Sequence, residues 1–368
     1  MAKKYRVGII GHTGRGGYGH GLDRVWKVIP GASIVGVADP NEKARAAKVK
    51  SLGAAKGFSD YRKMLDETKP QIVSICQRHL DQHRDMVLEC ARRGIHMYME
   101  KPMCRDLTEA DQMVKACEQH KVKLAIAYQT RYSPKIQVVR DIVFSGKIGK
   151  VLEVRGRGKE DRRGGGEDLW VLGSHIMNLV HVFAGEANWC YSNVSEGGKP
   201  VTKKHVKNGN EGIGPLAGDS LTAVYGHDEG VTSYFASTRG MAGNPRRFGL
   251  QILGSKGMID IVTGYLPKVN YLPDPSWSPG RSGKKWIPVS SAGIGKPEPL
   301  GKLAYGAGNT AAVKDLIGAI EEDRQPEASI YEARTSTEMI IAVFESHRLG
   351  RAVDMPLKNR KHPLTMLS

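Results

Sequence analysis

The sequence predicts an α/β protein in two parts: a doubly wound parallel sheet, then an α+β domain built on a mostly antiparallel open sheet. Three observations predict it. A strand-like run from Tyr5 to Ile10 enters a loop with glycines at 11, 14, 16, 17 and 19. Short apolar strands and helical stretches then alternate as far as Tyr128. From Val151 the strands become longer and alternate in polarity, as antiparallel strands with one wet face do. A chain of 368 residues suits two domains, expected at 1–128 and 129–368.

Composition narrows the classes. The chain is 40% hydrophobic with 44 glycines, so it is globular and loop-rich. No apolar run approaches a membrane span. The start carries two lysines and a strand rather than a leader's apolar core, so a cytoplasmic location is expected. The five cysteines form no Cys-x-x-Cys pair and read as buried thiols, with no metal site. The net charge of +17 is spread over Gly- and Pro-punctuated clusters at 155–163, 203–207, 281–285 and 358–361. Aromatics suited to base stacking are not interleaved there, which argues against nucleic acid.

The elements follow in order. The glycines fit Gly-x-x-Gly-x-x-Gly at 11, 14 and 17, or Gly-x-Gly-x-x-Gly at 14, 16 and 19. In either register a strand turns tightly into a helix whose N-terminus can meet a pyrophosphate, as in a Rossmann dinucleotide site. Gly11, Thr13, Gly14, Arg15, Gly16 and Gly17 are therefore cofactor candidates. The second strand, 32–38, ends at Asp39, which lies 20 residues after Gly19. An acid there bonds ribose hydroxyls and repels a 2′-phosphate, which favours NAD. Arg15, Lys43 and Arg45 are positive charges that leave NADP open. Helices are expected at 44–52, from Phe58 onward, at 83–93 and at 107–120, with strands at 71–76 and 123–128. His79 and His83 follow the third of these strands and join the cofactor candidates.

The run from Ile95 to Met99 reads as a buried strand ending at Glu100-Lys101-Pro102. Ligands of open α/β sheets sit outside strand carboxyl ends. Lys101 is thus expected at a cleft mouth, where an ammonium can stabilise a developing alkoxide. The same residues also read as a surface pair closing a strand. A cis Lys101-Pro102 bond suits a sharp redirection at a site, and the sequence leaves the isomer open.

In the second part, strands are expected at 151–157, 220–225, 231–237, 248–253 and 258–262. Gly164-Gly165-Gly166 lead into a helix that puts His175 and Asn178 on one face. Alone, such a histidine reads more readily as structural than as catalytic. The stretches 196–218 and 266–299 are long and irregular, and the second is expected to be a lid or an intersubunit contact. Helices at 309–322 and 331–348 close the chain.

These residues together resemble the Gfo/Idh/MocA oxidoreductases. The resemblance rests on the glycine loop with His20, on His83, on Glu100-Lys101-Pro102 and on Arg131-Tyr132-x-Pro134. It also rests on Ser145-Gly146-Lys147-Ile148-Gly149, on Gly254-Ser255-Lys256-Gly257 and on the end from Pro326 to Leu357. It implies hydride transfer between NAD and a hydroxyl or ketone carbon of a sugar or polyol. It implies catalytic roles for Lys101 and His175, and a homodimer or homotetramer formed through an exposed sheet face. Glu100 and Lys101 join the cofactor set, and Arg131, Tyr132 and Asn178 the substrate set. The sequence departs from the family at Val171 and Asn178, where aspartates are usual. Asp168 or Glu167 is then the candidate replacement acid. Two other readings compete: a redox-cycling lyase or glycosidase that holds its NAD tightly, and a catalytically silent dinucleotide- or nucleic-acid-binding protein.

Overall fold

The computed structural model describes residues 4–301 and 306–368. Contacts gather the chain into two units. The first holds the chain up to Ala127, with Asn210–Ile213 and the stretch ending at Arg334, and the second holds the remainder.

The first unit is a six-stranded sheet of β1 (Tyr5–Ile10), β2 (Ala32–Ala38), β3 (Gly57–Phe58), β4 (Ile72–Ile75), β5 (His96–Met99) and β6 (Leu124–Ile126). All pairs are parallel, in the order β3-β2-β1-β4-β5-β6. Every residue of β4 and β6 is buried, because helices cover both faces of such a sheet. The helices are α1 (Glu42–Leu52), α2 (Tyr61–Thr68), α3 (His83–Arg92) and α4 (Leu107–Gln119). Side chains of Asn41, Asp60 and Asp106 accept amide hydrogens at the starts of α1, α2 and α4. The strand order reverses between β1 and β4, so the loops after them flank one crevice.

One expectation fails here. No helix follows the glycine loop; residues 11–24 are turns, and only a four-residue 3-10 helix forms at Val25–Val28. Gly14, Gly16, Gly17, Gly19 and Gly21 all take positive φ, which no right-handed helix can contain. Any phosphate would meet backbone N–H groups in turns instead of a helix end. Helix α2 also starts later than Phe58, because Gly57 and Phe58 pair with Val37 and Ala38.

The second unit opens with α5 (Pro134–Phe144), β7 (Val151–Arg157), α6 (Gly166–Val171), α7 (Gly173–Ala184) and β8 (Ala187–Glu196). Short strands β9 (Lys199–Pro200), β10 (Lys207–Asn208) and β11 (Pro215–Leu216) punctuate the irregular stretch that follows. Then come β12 (Ser220–His227), β13 (Thr232–Thr238), β14 (Gly249–Gly254), β15 (Gly257–Val262), β16 (Lys268–Leu272), α8 (Pro279–Ser282), β17 (Ile287–Ser290) and β18 (Gly293–Ile294). The tail adds α9 (Ala307–Glu321), which belongs with the first unit, α10 (Ile330–Leu349) and β19 (Val353–Asp354). The large sheet runs β18-β17-β16-β15-β14-β7-β13-β12-β8-β19, with β9 on β8. It is antiparallel except where β13 meets β7.

Two features differ from the sequence reading. The stretch 266–299 is not irregular throughout, because β16 to β18 extend the sheet through it. Its prolines suggest a loop, yet Pro288 lies within β17 near the sheet edge, where a missing N–H is tolerated. Strand β8 was not expected at all. It turns small Cys190, Ser192 and Val194 inward and exposes Trp189 and Tyr191, which hides the usual polarity alternation.

Helix α7 covers one face of this sheet. A Cβ on Gly156 would lie 2.3 Å from Cγ2 of Ile176, so β7 needs glycine under α7. Across the sheet, Tyr191, Val224, Tyr234 and Arg155 stand in cross-strand register on β8, β12, β13 and β7. Tyr191 and Tyr234 are exposed.

Candidate active site

In the first unit, Gly11 directly follows β1 and Asp39 directly follows β2, so both lie at the carboxyl edge of the sheet. Asp39 is fully buried, and its carboxylate is fixed from three sides. Thr13 donates from Oγ1 to Oδ2 at 2.7 Å and from its amide at 3.1 Å, while Asn41 N donates to Oδ1 at 2.9 Å. A cleft of roughly 200 Å³ opens beside it, lined by Gly11, His12, Asp39, Ser59, Asp60 and Gln82 among others. That is the place and shape for the adenosine end of a dinucleotide.

The glycines divide by what they face. Cβ atoms on Gly14 and Gly17 would meet nothing within 4 Å, so backbone there is open to a ligand. Gly11 is required by the protein itself, since a Cβ would lie 2.4 Å from the Tyr18 ring. Gly16 is pressed against Arg78, whose amide nitrogen would be 2.7 Å from its Cβ. Arg15 reaches over the loop to pair with Asp81, and His12 Nδ1 lies 3.3 Å from Gln82 Oε1. These pairs bind the glycine loop to the loop after β4, across the crevice where strand order reverses. His79 is half-buried in that second loop, and burial lowers its pKa.

Strand β5 ends at the same edge. The Lys101-Pro102 bond is cis. Lys101 is 6% exposed and Glu100 is fully buried. Glu100 Oε2 accepts from the Lys101 amide at 2.9 Å, and Oε1 accepts from the His20 amide at 3.0 Å and from His20 Nδ1. Burial pushes the Glu100 carboxyl up, but the His20 hydrogen bond and the charges of His20 and Lys101 outweigh it and bring it down to about 2. His83 is buried under this turn. Its Nδ1 lies 3.1 Å from Pro102 O and its Nε2 2.9 Å from Gln77 O, so the ring braces the segment after Lys101. A larger cavity of about 710 Å³ opens at the opposite edge of the sheet, around Tyr5, Lys69, Arg93 and His96, away from every strand carboxyl end.

The second unit holds the other candidates. Asp168 is fully buried in α6, where Oδ2 accepts from Ser237 Oγ at 2.6 Å and from Glu160 N at 2.9 Å. Burial raises its pKa, and the Ser237 hydrogen bond opposes that. Its place explains the glycines before it. A Cβ on Gly158 would lie 2.2 Å from Oδ2, and Gly164, Gly165 and Gly166 each press on backbone of 217–219 or 238–239. That triplet serves packing, not phosphate. His175 lies in the first turn of α7, half-buried, with the Tyr128 ring edge-on at 5.7 Å. Asn178 is 1% exposed, and neither amide atom has a hydrogen-bond partner among the described residues. Ser174 Oγ and Trp170 Nε1 share that condition. Buried polar atoms without protein partners mark where water or a ligand is expected. Arg131 and Tyr132 are buried in the turn before α5. Among the described residues no group of three His, Cys, Asp or Glu side chains could hold a metal ion.

Sequence reasoning missed Tyr128, Ser174, Trp170 and Asn309. Tyr128 had a signal, since it ends the run of parallel strands. Asn309, which accepts from Tyr98 Oη at 2.8 Å, had none.

Residues 5–128 match the oxidoreductase family GFO_IDH_MocA, described as an NAD-binding Rossmann fold. The match to the Gfo/Idh/MocA family is thus carried by the first unit's parallel sheet. Beyond residues 5–128, similarity runs along most of the chain. It is 24% identical over 268 residues to myo-inositol 2-dehydrogenase of Thermotoga maritima, covering 68% of this chain and 79% of that one. It is 22% identical over 358 residues to levoglucosan dehydrogenase of Pseudarthrobacter phenanthrenivorans, covering 89% and 90%. Among solved structures, levoglucosan dehydrogenase in complex with NADH matches with a TM-score of 0.78 at 19% identity, over 96% of this chain and 100% of that chain. That likeness is one of fold.

Proposed function

We propose that the protein is an NAD(H)-dependent oxidoreductase acting on a hydroxyl or ketone carbon of a sugar, glycoside or polyol. The observation that carries it is the joint placement of Asp39, the open glycines 14 and 17 and the buried Lys101 at one edge of the parallel sheet. Asp39, Thr13, Gly14, Arg15, Gly16 and Gly17 would hold the dinucleotide, with Gly11, His12 and Gln82 around the adenosine cleft and His79 and Glu100 toward the nicotinamide. When bound, the nicotinamide supplies the hydride donor or acceptor. Lys101 donates to the substrate oxygen and stabilises charge that develops there. His175 takes or returns the hydroxyl proton. Asn178, Arg131 and Tyr132 orient the substrate. Asp168 supports this by fixing the loop that leads into α6 and α7, while His83 braces Lys101. Valine stands at position 171, where the family usually has an aspartate.

The row of Tyr191, Val224, Tyr234 and Arg155 supports a homodimer or homotetramer formed through the open sheet face. Five buried, reduced cysteines support a cytoplasmic setting. Among the described residues no helix is long and apolar enough to cross a membrane.

The test begins by denaturing the purified protein and identifying any released dinucleotide by mass. Sugars and polyols are then screened with NAD and NADP for change in the nicotinamide absorbance band. Net reduction with NAD supports the reading. A transformed sugar without net absorbance change points to the redox-cycling alternative, and binding without turnover on any sugar points to a silent binder.

A further inference from the structure

His20 takes no part in the roles assigned above, yet the structure places it with unusual definition. Gly19 sets its position, with φ of 59° and no room for a side chain. A Cβ on Gly19 would lie 2.4 Å from Cys76 O and 2.7 Å from Glu100 Cγ. The backbone at His20 is therefore drawn against the end of β5. From the other side, Asn309 Nδ2 of α9 donates to His20 O at 3.0 Å, and Tyr98 Oη of β5 fixes Asn309 in turn. Both Tyr98 and Asn309 are fully buried. With its backbone held at the amide and at the carbonyl, His20 has its ring aimed at Glu100 through Nδ1. Its side chain is nevertheless 41% exposed. A histidine kept for packing alone would be enclosed, as His83 is.

The carboxylate it meets belongs to the residue directly before Lys101. A fully buried charge is tolerated only when donors surround it. Among the described residues Glu100 has three donors: His20 N, His20 Nδ1 and Lys101 N. Two of the three come from His20. Among the described residues the other positive charge acting on Glu100 is Lys101, whose ammonium would without the imidazole be drawn toward Glu100 and away from a substrate oxygen. We propose that His20 is a positioning residue for Lys101, acting through the Glu100 carboxylate. The proposal rests on the oxidoreductase reading above. In this role His20 acts through Glu100 and not on the substrate.

The test compares three substitutions with turnover and NADH affinity measured side by side. Asn carries a donor near the place of imidazole Nδ1, whereas the Gln donor falls near Nε2. His20→Ala should lower kcat at least tenfold on a confirmed substrate, with KM and the NADH dissociation constant changing less than threefold. His20→Asn should recover most of that loss, and His20→Gln should not. Wild-type kcat in His20→Ala overturns the proposal. So does equal recovery by Asn and Gln, or a loss matched by weaker NADH binding. If the wild type itself turns over no sugar or polyol, the oxidoreductase reading fails and the proposal with it. That outcome is read from the wild type alone, so the two failures are distinguishable.

Discussion

At the scale of single residues, the site is a set of charges held by short-range partners, and each can be tested alone. Asp39 is clamped by Thr13 and Asn41, which fix its carboxylate without help from a ligand. Asp39→Ser should weaken NAD binding about tenfold, the equivalent of 1.4 kcal/mol, and improve NADP relative to it; titrating both cofactors checks this. Lys101→Met keeps the stem and removes the charge. Its turnover should fall roughly a hundredfold, the scale of losing one preorganised donor, with dinucleotide affinity nearly kept. His175→Asn should cost on the order of 10²–10⁴ in turnover if it is the base. Wild-type rates in either variant would move the chemistry elsewhere. Acid stability follows from Glu100. Its folded pKa lies near 2, below its ordinary 4.5, so the folded state gains stability above pH 4.5 and loses it as pH falls from there toward 2. His362 acts in an earlier window. Burial among Trp170 and Phe344 holds it near 4 against 6.5, so its contribution is full above pH 6.5 and is lost between 6.5 and 4. Melting temperature against pH should show both declines, and His362→Gln should flatten the first.

At the scale of elements, close backbone contact matters most around α6. Gly158→Ala would drive a Cβ into Asp168 Oδ2, and a destabilisation of about 1–3 kcal/mol is expected for such overpacking. Thermal melting reads it directly. The same contact shows why part of the site escaped sequence reasoning. Helices α1 and α4 were legible because the caps that start them are local, Asn41 and Asp106, and α3 and α7 through the spacing of their buried residues. Asp39 and Lys101 were legible because strand ends announce themselves in sequence. The missing helix after β1 was not, because the glycine pattern fits both a helix N-terminus and a string of left-handed turns. Strand β8 was hidden by outward aromatics, and β17 by its prolines. Partners far apart in sequence, such as Ser237 with Asp168, have no local signature at all.

At the scale of the whole molecule, the exposed row on β8, β12 and β13 bears on assembly. Tyr191→Lys with Tyr234→Lys should lower the mass seen in sedimentation if a second copy covers that face; an unchanged mass would place the interface elsewhere. The first unit raises a different matter. It is assembled from three separate stretches of chain, and α9 closes it late: Tyr98 meets Asn309 and Tyr5 meets Glu321 across separations of 211 and 316 residues. During synthesis, the six strands therefore leave the ribosome well before the helix that locks them. At ~5–20 residues per second, the roughly 180 residues between Tyr128 and Asn309 take about 10–40 s to make. Over that interval the nascent sheet lacks the amide that holds His20, and a chaperone or protease would meet it with β5 and β6 uncapped. Chains arrested before residue 306 should be cleaved readily by added protease, and chains arrested beyond residue 334 should resist.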